Sequence, residues 1–176
     1  TRHLTTNYSY YFVDKLYSHG FEPRDIIIWD ESHLVNDLFS EHNAIYFSQK
    51  RLQKAAQEIA EMVQITDLTI AKTLTSVAAD CAKKDKITDA NFEKYLLALQ
   101  TVYDYAKGRG EAEAEKALRS GNMKKYASLT RFTKKYEGLG CKIDDFFNLG
   151  YQHVFEHKVD EAEVSVKPVF VGNMID

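Results

Sequence analysis

The chain has 176 residues, of which 44% are hydrophobic and 28% are charged, and its net charge is -3. These values are typical of an ordinary globular protein with one domain, or with one domain and part of another. They exclude a chain that binds nucleic acid over its whole surface, so any such site must be a local patch. Cys81 and Cys141 lie far apart, with no Cys-x-x-Cys and no adjacent His, which predicts two buried thiols and no metal site. We expect a cytoplasmic protein with no membrane partner, because no apolar run has transmembrane length and no signal peptide is recognisable.

The first segment leads through a short apolar strand to a pair of acids. Helical spacing of apolar residues predicts a helix over 8–19. The run 25–29, with three consecutive isoleucines, then indicates a strand buried on both faces, as in a parallel sheet covered by helices. Asp30 and Glu31 follow it, at the end of the strand where the chemistry of open α/β sheets collects.

Asp30 and Glu31 have the residue types of a Walker B site. A carboxylate in the position of Asp30 can hold Mg²⁺ beside a nucleotide phosphate, usually through water. The adjacent carboxylate of Glu31 can orient or activate the attacking water. The alternative interpretation is the start of a helix, since acids are favoured in its first turn. These residues alone leave both interpretations open.

Apolar periodicity predicts helices and one short strand in the middle of the chain. In order, these are a short helix at 34–39, a strand at 45–47, and three helices that begin near Ser48, near Thr66 or Asp67, and at Thr88-Asp89. The second of the three is expected to end in the mostly basic turn 82–86, which suits the helix dipole.

Glycines and turn residues divide the chain that follows. Gly108-Arg109-Gly110 is expected to end the third helix, before a short acidic helix over 111–118. The turn 120–122 separates this from a long helix at about 122–137 and a short one at about 142–148.

The last segment has the pattern of a hairpin. Strand-like residues flank the turn-prone pair Asp160-Glu161, namely Val154, Phe155 and Val159 before it and Val164, Val166, Val169 and Val171 after it. His153 and His157 lie four residues apart in its first half, a spacing that suits a zinc pair on a helix but not on a strand. We therefore interpret them as ordinary surface or strand histidines.

The long helix at 122–137 carries cations without an acid among them. At about 100° per residue, Lys124, Arg131 and Lys135 share one side, and Lys125 and Lys134 lie at its margins. We call these five residues the basic face. Such a face can track a phosphate backbone. The alternative is a solvent-facing side that offsets the acidic helix before it.

Four segments resemble those of a known family, in the family's order. Asp30-Glu31-Ser32-His33 is similar to an Asp-Glu-Ala-His box with Ser for Ala, and residues 6–12 resemble the Thr-Asn-Tyr/His segment before it. Residues 44–55 resemble the start of an inserted domain, and residues 164–171 resemble the Lys-Pro strand that returns from it. The family is that of the XPD/DinG-like superfamily 2 DNA helicases.

The resemblance implies a mainly α-helical (α+β) chain in three parts. A fragment of the P-loop motor domain would occupy 1–43, a helical Arch-like insertion with a short strand 44–160, and a strand returning to the motor 161–176. Asp30, Glu31 and His33 would be catalytic, with Asp30 holding Mg²⁺ through the nucleotide. The basic face would contact single-stranded DNA guided by the Arch.

The resemblance also implies cofactors and partners outside the chain. ATP and Mg²⁺ would act in the full-length protein, and the iron–sulfur cluster that the family often carries would lie before residue 1. The chain has no Gly-x-x-x-x-Gly-Lys-Ser/Thr, so we expect it not to hydrolyse ATP alone. Partners would be single-stranded DNA, the remaining helicase domains and a protein partner of the Arch. The alternative is a non-enzymatic helical protein-interaction module.

Overall fold

The computed structural model of the chain describes residues 35–63, 67–150 and 152–169. The described elements are α1 (Val35–Asn43), β1 (Ile45–Ser48), α2 (Gln49–Val63), α3 (Leu68–Cys81), α4 (Phe92–Arg119), α5 (Met123–Asn148), β2 (His153–Lys158) and β3 (Glu163–Pro168). The prediction of a mainly helical chain with a small β component is confirmed. The helix predicted at 8–19, the strand at 25–29 and the acidic box lie outside the described residues. Among the described helices, none is both long and apolar enough to cross a membrane.

The chain divides into two compact units. Residues 45–150 and 155–166 form the larger unit, which contains α2 to α5. The described part of the other consists of residues 35–44, 152–154 and 167–169. In that unit the Ser40 hydroxyl donates a hydrogen bond of 2.7 Å to the carbonyl of Pro168, and Glu41 pairs with Lys167. The predicted domain boundaries at 43/44 and 160/161 stay predictions.

The three strands form one antiparallel sheet in the order β1-β3-β2. Ile45 lies opposite Val166 and Phe47 opposite Val164, and all four side chains are buried. A 3-10 turn at Val159–Glu161 joins β2 to β3. The predicted strand at 45–47 and the predicted hairpin are therefore confirmed.

The N-terminal caps of α2 and α3 are those predicted from the sequence, but α3 ends earlier than predicted. The Ser48 hydroxyl accepts a hydrogen bond from Arg51 N, and the Asp67 carboxylate accepts one of 2.8 Å from Thr69 N. The prediction that α3 continues into the basic turn 82–86 is wrong, because the helix ends at Cys81. The Cys81 carbonyl, which a continuing helix would use, lies 2.7 Å from a ring nitrogen of His157.

Helix α4 begins later than predicted. Asn91, not Thr88-Asp89, precedes its first residue. The Asn91 side chain instead accepts a hydrogen bond of 2.9 Å from Thr88 N, which holds residues 88–91 in a turn. Ile87 before this turn is 1% exposed, so the connection from α3 returns to the core before α4 starts.

The predicted break at Gly108-Arg109-Gly110 is wrong, because α4 runs unbroken through it to Arg119. The two helices predicted at 122–137 and 142–148 are likewise one helix, α5. A glycine inside a helix costs only about 1 kcal/mol relative to alanine, which packing can offset. The reversal of the chain between α4 and α5 is as predicted. Gly121 has φ +73°, and the Asn122 side chain accepts a hydrogen bond of 3.0 Å from Lys125 N.

The core of the larger unit lies between α4 and α5, with α2, α3 and the sheet around them. The ring centroid of Tyr103 is 5.7 Å from that of Tyr136, and Phe92 contacts Phe146 and Phe155. Tyr103 is buried, and burial raises its pKa to about 12. The prediction of two buried thiols is confirmed for Cys81, which is fully buried, whereas Cys141 is half-buried.

Candidate nucleic-acid interface

All five residues of the basic face lie on α5 and are exposed. They are exposed because the opposite side of the helix packs into the core through Leu129, Phe132 and Tyr136. Met123, in the first turn of the helix, is apolar but 59% exposed, since it directly follows the reversal at Gly121. The amphipathic division predicted for this helix is otherwise confirmed.

The basic face is long enough to contact several phosphates. From Lys124 to Lys135 the helix rises about 16 Å, and Lys124, Arg131 and Lys135 lie within about 40° around its axis. Lys134 lies roughly 80° away from Lys124. The arrangement is therefore a row of cations along the helix with Lys134 at one edge.

Two members of the basic face have carboxylate partners. Lys135 pairs with Glu58 of α2, and the same carboxylate accepts a hydrogen bond of 3.2 Å from the Tyr136 hydroxyl. Burial and the nearby Glu58 raise the pKa of Tyr136. Lys125 Nζ lies 3.9 Å from a carboxylate oxygen of Glu113 on α4. Part of the positive charge therefore offsets neighbouring acids, as the alternative interpretation expects.

The other three members have no such compensation. Lys124, Arg131 and Lys134 are exposed, and no carboxylate of the described residues lies within 4.0 Å of their charged groups. An exposed cation without an acid partner can contact a phosphate without first breaking an ion pair. These three residues are the part of the basic face that is best suited to a nucleic-acid backbone.

The predicted nucleotide residues cannot be placed. Asp30, Glu31 and His33 lie outside the described residues, so their roles stay predictions. Within the described ranges, no group of three or more His, Cys, Asp or Glu side chains could hold a metal ion.

His157 has a structural role that the sequence did not reveal. It lies on β2, as predicted, and its ring nitrogens are 3.1 Å from the carbonyl of Ile87 and 2.7 Å from that of Cys81. It thereby connects the sheet to both ends of the turn after α3. Alternation along β2 puts Phe155 and His157 on the less exposed side, and this period of two was the available signal.

Comparison with family models, with curated proteins and with solved structures finds no match to this chain. The resemblance to the helicase family therefore rests on the four sequence segments.

Proposed function

We propose that the chain is the Walker B and Arch portion of an XPD/DinG-like ATP-dependent DNA helicase, in which α5 guides single-stranded DNA. The observation that carries the DNA part is the set of exposed cations Lys124, Arg131 and Lys134, which have no carboxylate partner among the described residues. The larger part of the helicase, including the phosphate-binding lysine and the second motor domain, would be supplied outside residues 1–176.

The division into units supports the proposed organisation. The larger unit interrupts the other one along the chain, because residues 35–44 belong with residues 152–154 and 167–169. A helical unit that interrupts another unit is what an inserted Arch domain requires. Along the sequence, two of the four helicase-like segments precede the larger unit, one covers its start, and the fourth begins in its last residues and continues beyond it.

In the full-length protein, Asp30 would hold Mg²⁺ on the nucleotide, Glu31 would orient the attacking water, and His33 would couple nucleotide state to the second motor domain. Glu31→Gln in that protein should abolish ATP turnover and leave ATP binding largely intact. Normal turnover by this variant would reject the Walker B assignment. An upstream reading frame without a Walker A lysine would favour the non-enzymatic interaction module.

The DNA contact would be electrostatic and independent of base sequence. Cations that contact phosphates position a strand without reading it. Each phosphate contacted on a single strand lowers the logarithm of the binding constant by about 0.7 per tenfold rise in salt. Three contacts therefore predict a salt slope of about 2 and weak binding at physiological salt.

The test is a salt titration of fluorescence anisotropy with a labelled single-stranded oligonucleotide. The test variant reverses Lys124, Arg131 and Lys134 to Glu. The control variant makes the same change in net charge by reversing exposed lysines of α2 and α3, namely Lys50, Lys54 and Lys72. Circular dichroism should show equal helicity in all three proteins, since the changed residues are exposed.

We expect the test variant to lose most of its single-strand binding and of its salt slope, and the control variant to lose much less. Equal losses in the two variants would mean that net charge alone matters, and unchanged binding in both would mean that the basic face does not bind DNA. Either result would favour the helical interaction module.

A further inference from the structure

A cavity of about 430 Å³ opens where the last turn of α2, the middle of α4 and the first turns of α5 meet. Its volume lies in the range of roughly 300–1,000 Å³ that small-molecule sites occupy. Arg109 and Glu113 of α4 line it, together with Asn122, Lys124 and Lys125 at the start of α5. Three cations from two helices therefore converge on one concave surface.

Arg109 contributes a guanidinium from α4 to the lining of this cavity. Its Nε atom is buried and has no hydrogen-bond acceptor among the described residues, and no described carboxylate lies within 4.0 Å of its guanidinium. Because Nε is buried, a molecule in the cavity would contact the terminal nitrogens of the Arg109 guanidinium and not Nε. A guanidinium is also the side chain best shaped to hold an oxyanion through two parallel hydrogen bonds.

The acids of the lining offset only part of this charge, although Arg109 and Lys125 are among the cations that lower the pKa of Glu113. Glu113 lies one turn after Arg109, but its carboxylate accepts a hydrogen bond of 2.6 Å from Lys116. That hydrogen bond is the main reason why the pKa of Glu113 is below its usual range. Glu61, the other acid of the lining, is exposed, so solvent screens its charge.

The start of α5 adds a favourable field. The Asn122 side chain caps Lys125 N, which aligns the first turn of a 26-residue helix beside the cavity. The positive end of the helix dipole and the free ammonium of Lys124 both favour an anion there.

We propose that this cavity binds a phosphoryl oxyanion, with the Arg109 guanidinium as its main ligand and with Lys124 and Lys125 beside it. The cavity shares Lys124 and Lys125 with the basic face, but its proposed main ligand, Arg109, is on α4 and lies outside that face. The oxyanion is either a small phosphorylated molecule or a phosphate at the end of a nucleic-acid strand, and these share the same chemistry.

The test is a titration of the chain with pyrophosphate at constant ionic strength, followed by amide shifts in ¹H–¹⁵N spectra. We expect saturable shifts at the residues of α4 and α5 that line the cavity. Arg109→Gln should weaken binding about 10- to 100-fold, because it removes charged hydrogen bonds. Lys50→Gln, a cation at the other end of α2, should change nothing. If Arg109→Gln perturbs folding, Lys124→Gln at the exposed rim should still weaken binding.

Two further experiments identify the source of the oxyanion and test whether the cavity and the proposed DNA contact bind independently. If Arg109→Gln weakens binding of a 5′-phosphorylated oligonucleotide but not of its 5′-hydroxyl form, the site holds a strand end. If it weakens pyrophosphate binding alone, the site holds a small molecule. Arg131→Glu with Lys134→Glu should lose oligonucleotide binding and keep pyrophosphate binding. Absence of saturable shifts with pyrophosphate, or equal affinity in the wild type and Arg109→Gln, would overturn the proposal.

Discussion

Gly108 and Gly110 provide a sharp test of how α4 packs against α5. Both lie inside α4, but they face different surroundings. A Cβ atom at Gly110 would lie 2.6 Å from the Thr133 hydroxyl oxygen and 3.0 Å from a ring carbon of Phe132. A Cβ atom at Gly108 would meet no heavy atom within 4 Å. The same substitution to alanine should therefore stabilise the protein at Gly108 but not at Gly110.

The magnitudes follow from two terms. Replacing a helical glycine by alanine gains about 1 kcal/mol at either position, because the unfolded chain loses conformational freedom. At Gly110 the added methyl also overpacks the interface, which typically costs about 1–3 kcal/mol. Thr133 cannot easily yield, since it is buried and β-branched. The shared helix term cancels in the comparison, so Gly108→Ala should exceed Gly110→Ala in stability by about 1–3 kcal/mol.

Urea denaturation, followed by the circular dichroism of the helices, would measure the free energy of unfolding of both variants. We expect Gly108→Ala to raise the free energy of unfolding and Gly110→Ala to leave it unchanged or lower it. The double variant Gly110→Ala/Thr133→Ala should recover part of the loss, because Thr133→Ala removes the nearest atom. Equal stabilisation by the two alanines, with no coupling to Thr133, would refute the close approach of the two helices at Gly110.

Three further changes test the fold around α3, α5 and the sheet. His157→Phe should lower the free energy of unfolding by about 1–3 kcal/mol, because it removes the imidazole N–H that donates to one of the carbonyls of Cys81 and Ile87. Glu156→Gln on the exposed side of β2 should change little in the same urea assay. Burial, and to a lesser extent the nearby Asp144, raises the pKa of Asp145, so the charged carboxylate destabilises the fold at pH values above the pKa of the unfolded carboxyl near 4. Asp145→Asn should therefore stabilise the protein more at pH 7 than at pH 4. An equal gain in stability at both pH values would contradict this. Burial raises the pKa of Cys81 to about 11, so iodoacetamide at pH 8 should alkylate the half-buried Cys141 before Cys81. Peptide mass spectra would follow both reactions, and faster modification of Cys81 would be inconsistent with its position in the core.

The sequence by itself determined the features that depend on neighbours a few residues away. Ser48 and Asp67 cap their helices because a short side-chain oxygen can reach a backbone N–H two or three residues later. The reversal at 120–122 follows from a glycine that readily adopts positive φ. The exposure of the basic face was also predictable, because the helical period alone separates it from the buried side of α5.

Tertiary structure decided where the long helices end and which charges are compensated. Glycine weakens a helix locally, so the sequence predicted a break at Gly110, but there the missing side chain lets Thr133 of α5 approach and the helix continues. The local sequence likewise does not predict that Lys135 pairs with Glu58, or that α3 ends where the Cys81 carbonyl contacts His157. In each case the deciding contact joins residues more than 20 positions apart, and only folding brings such groups together.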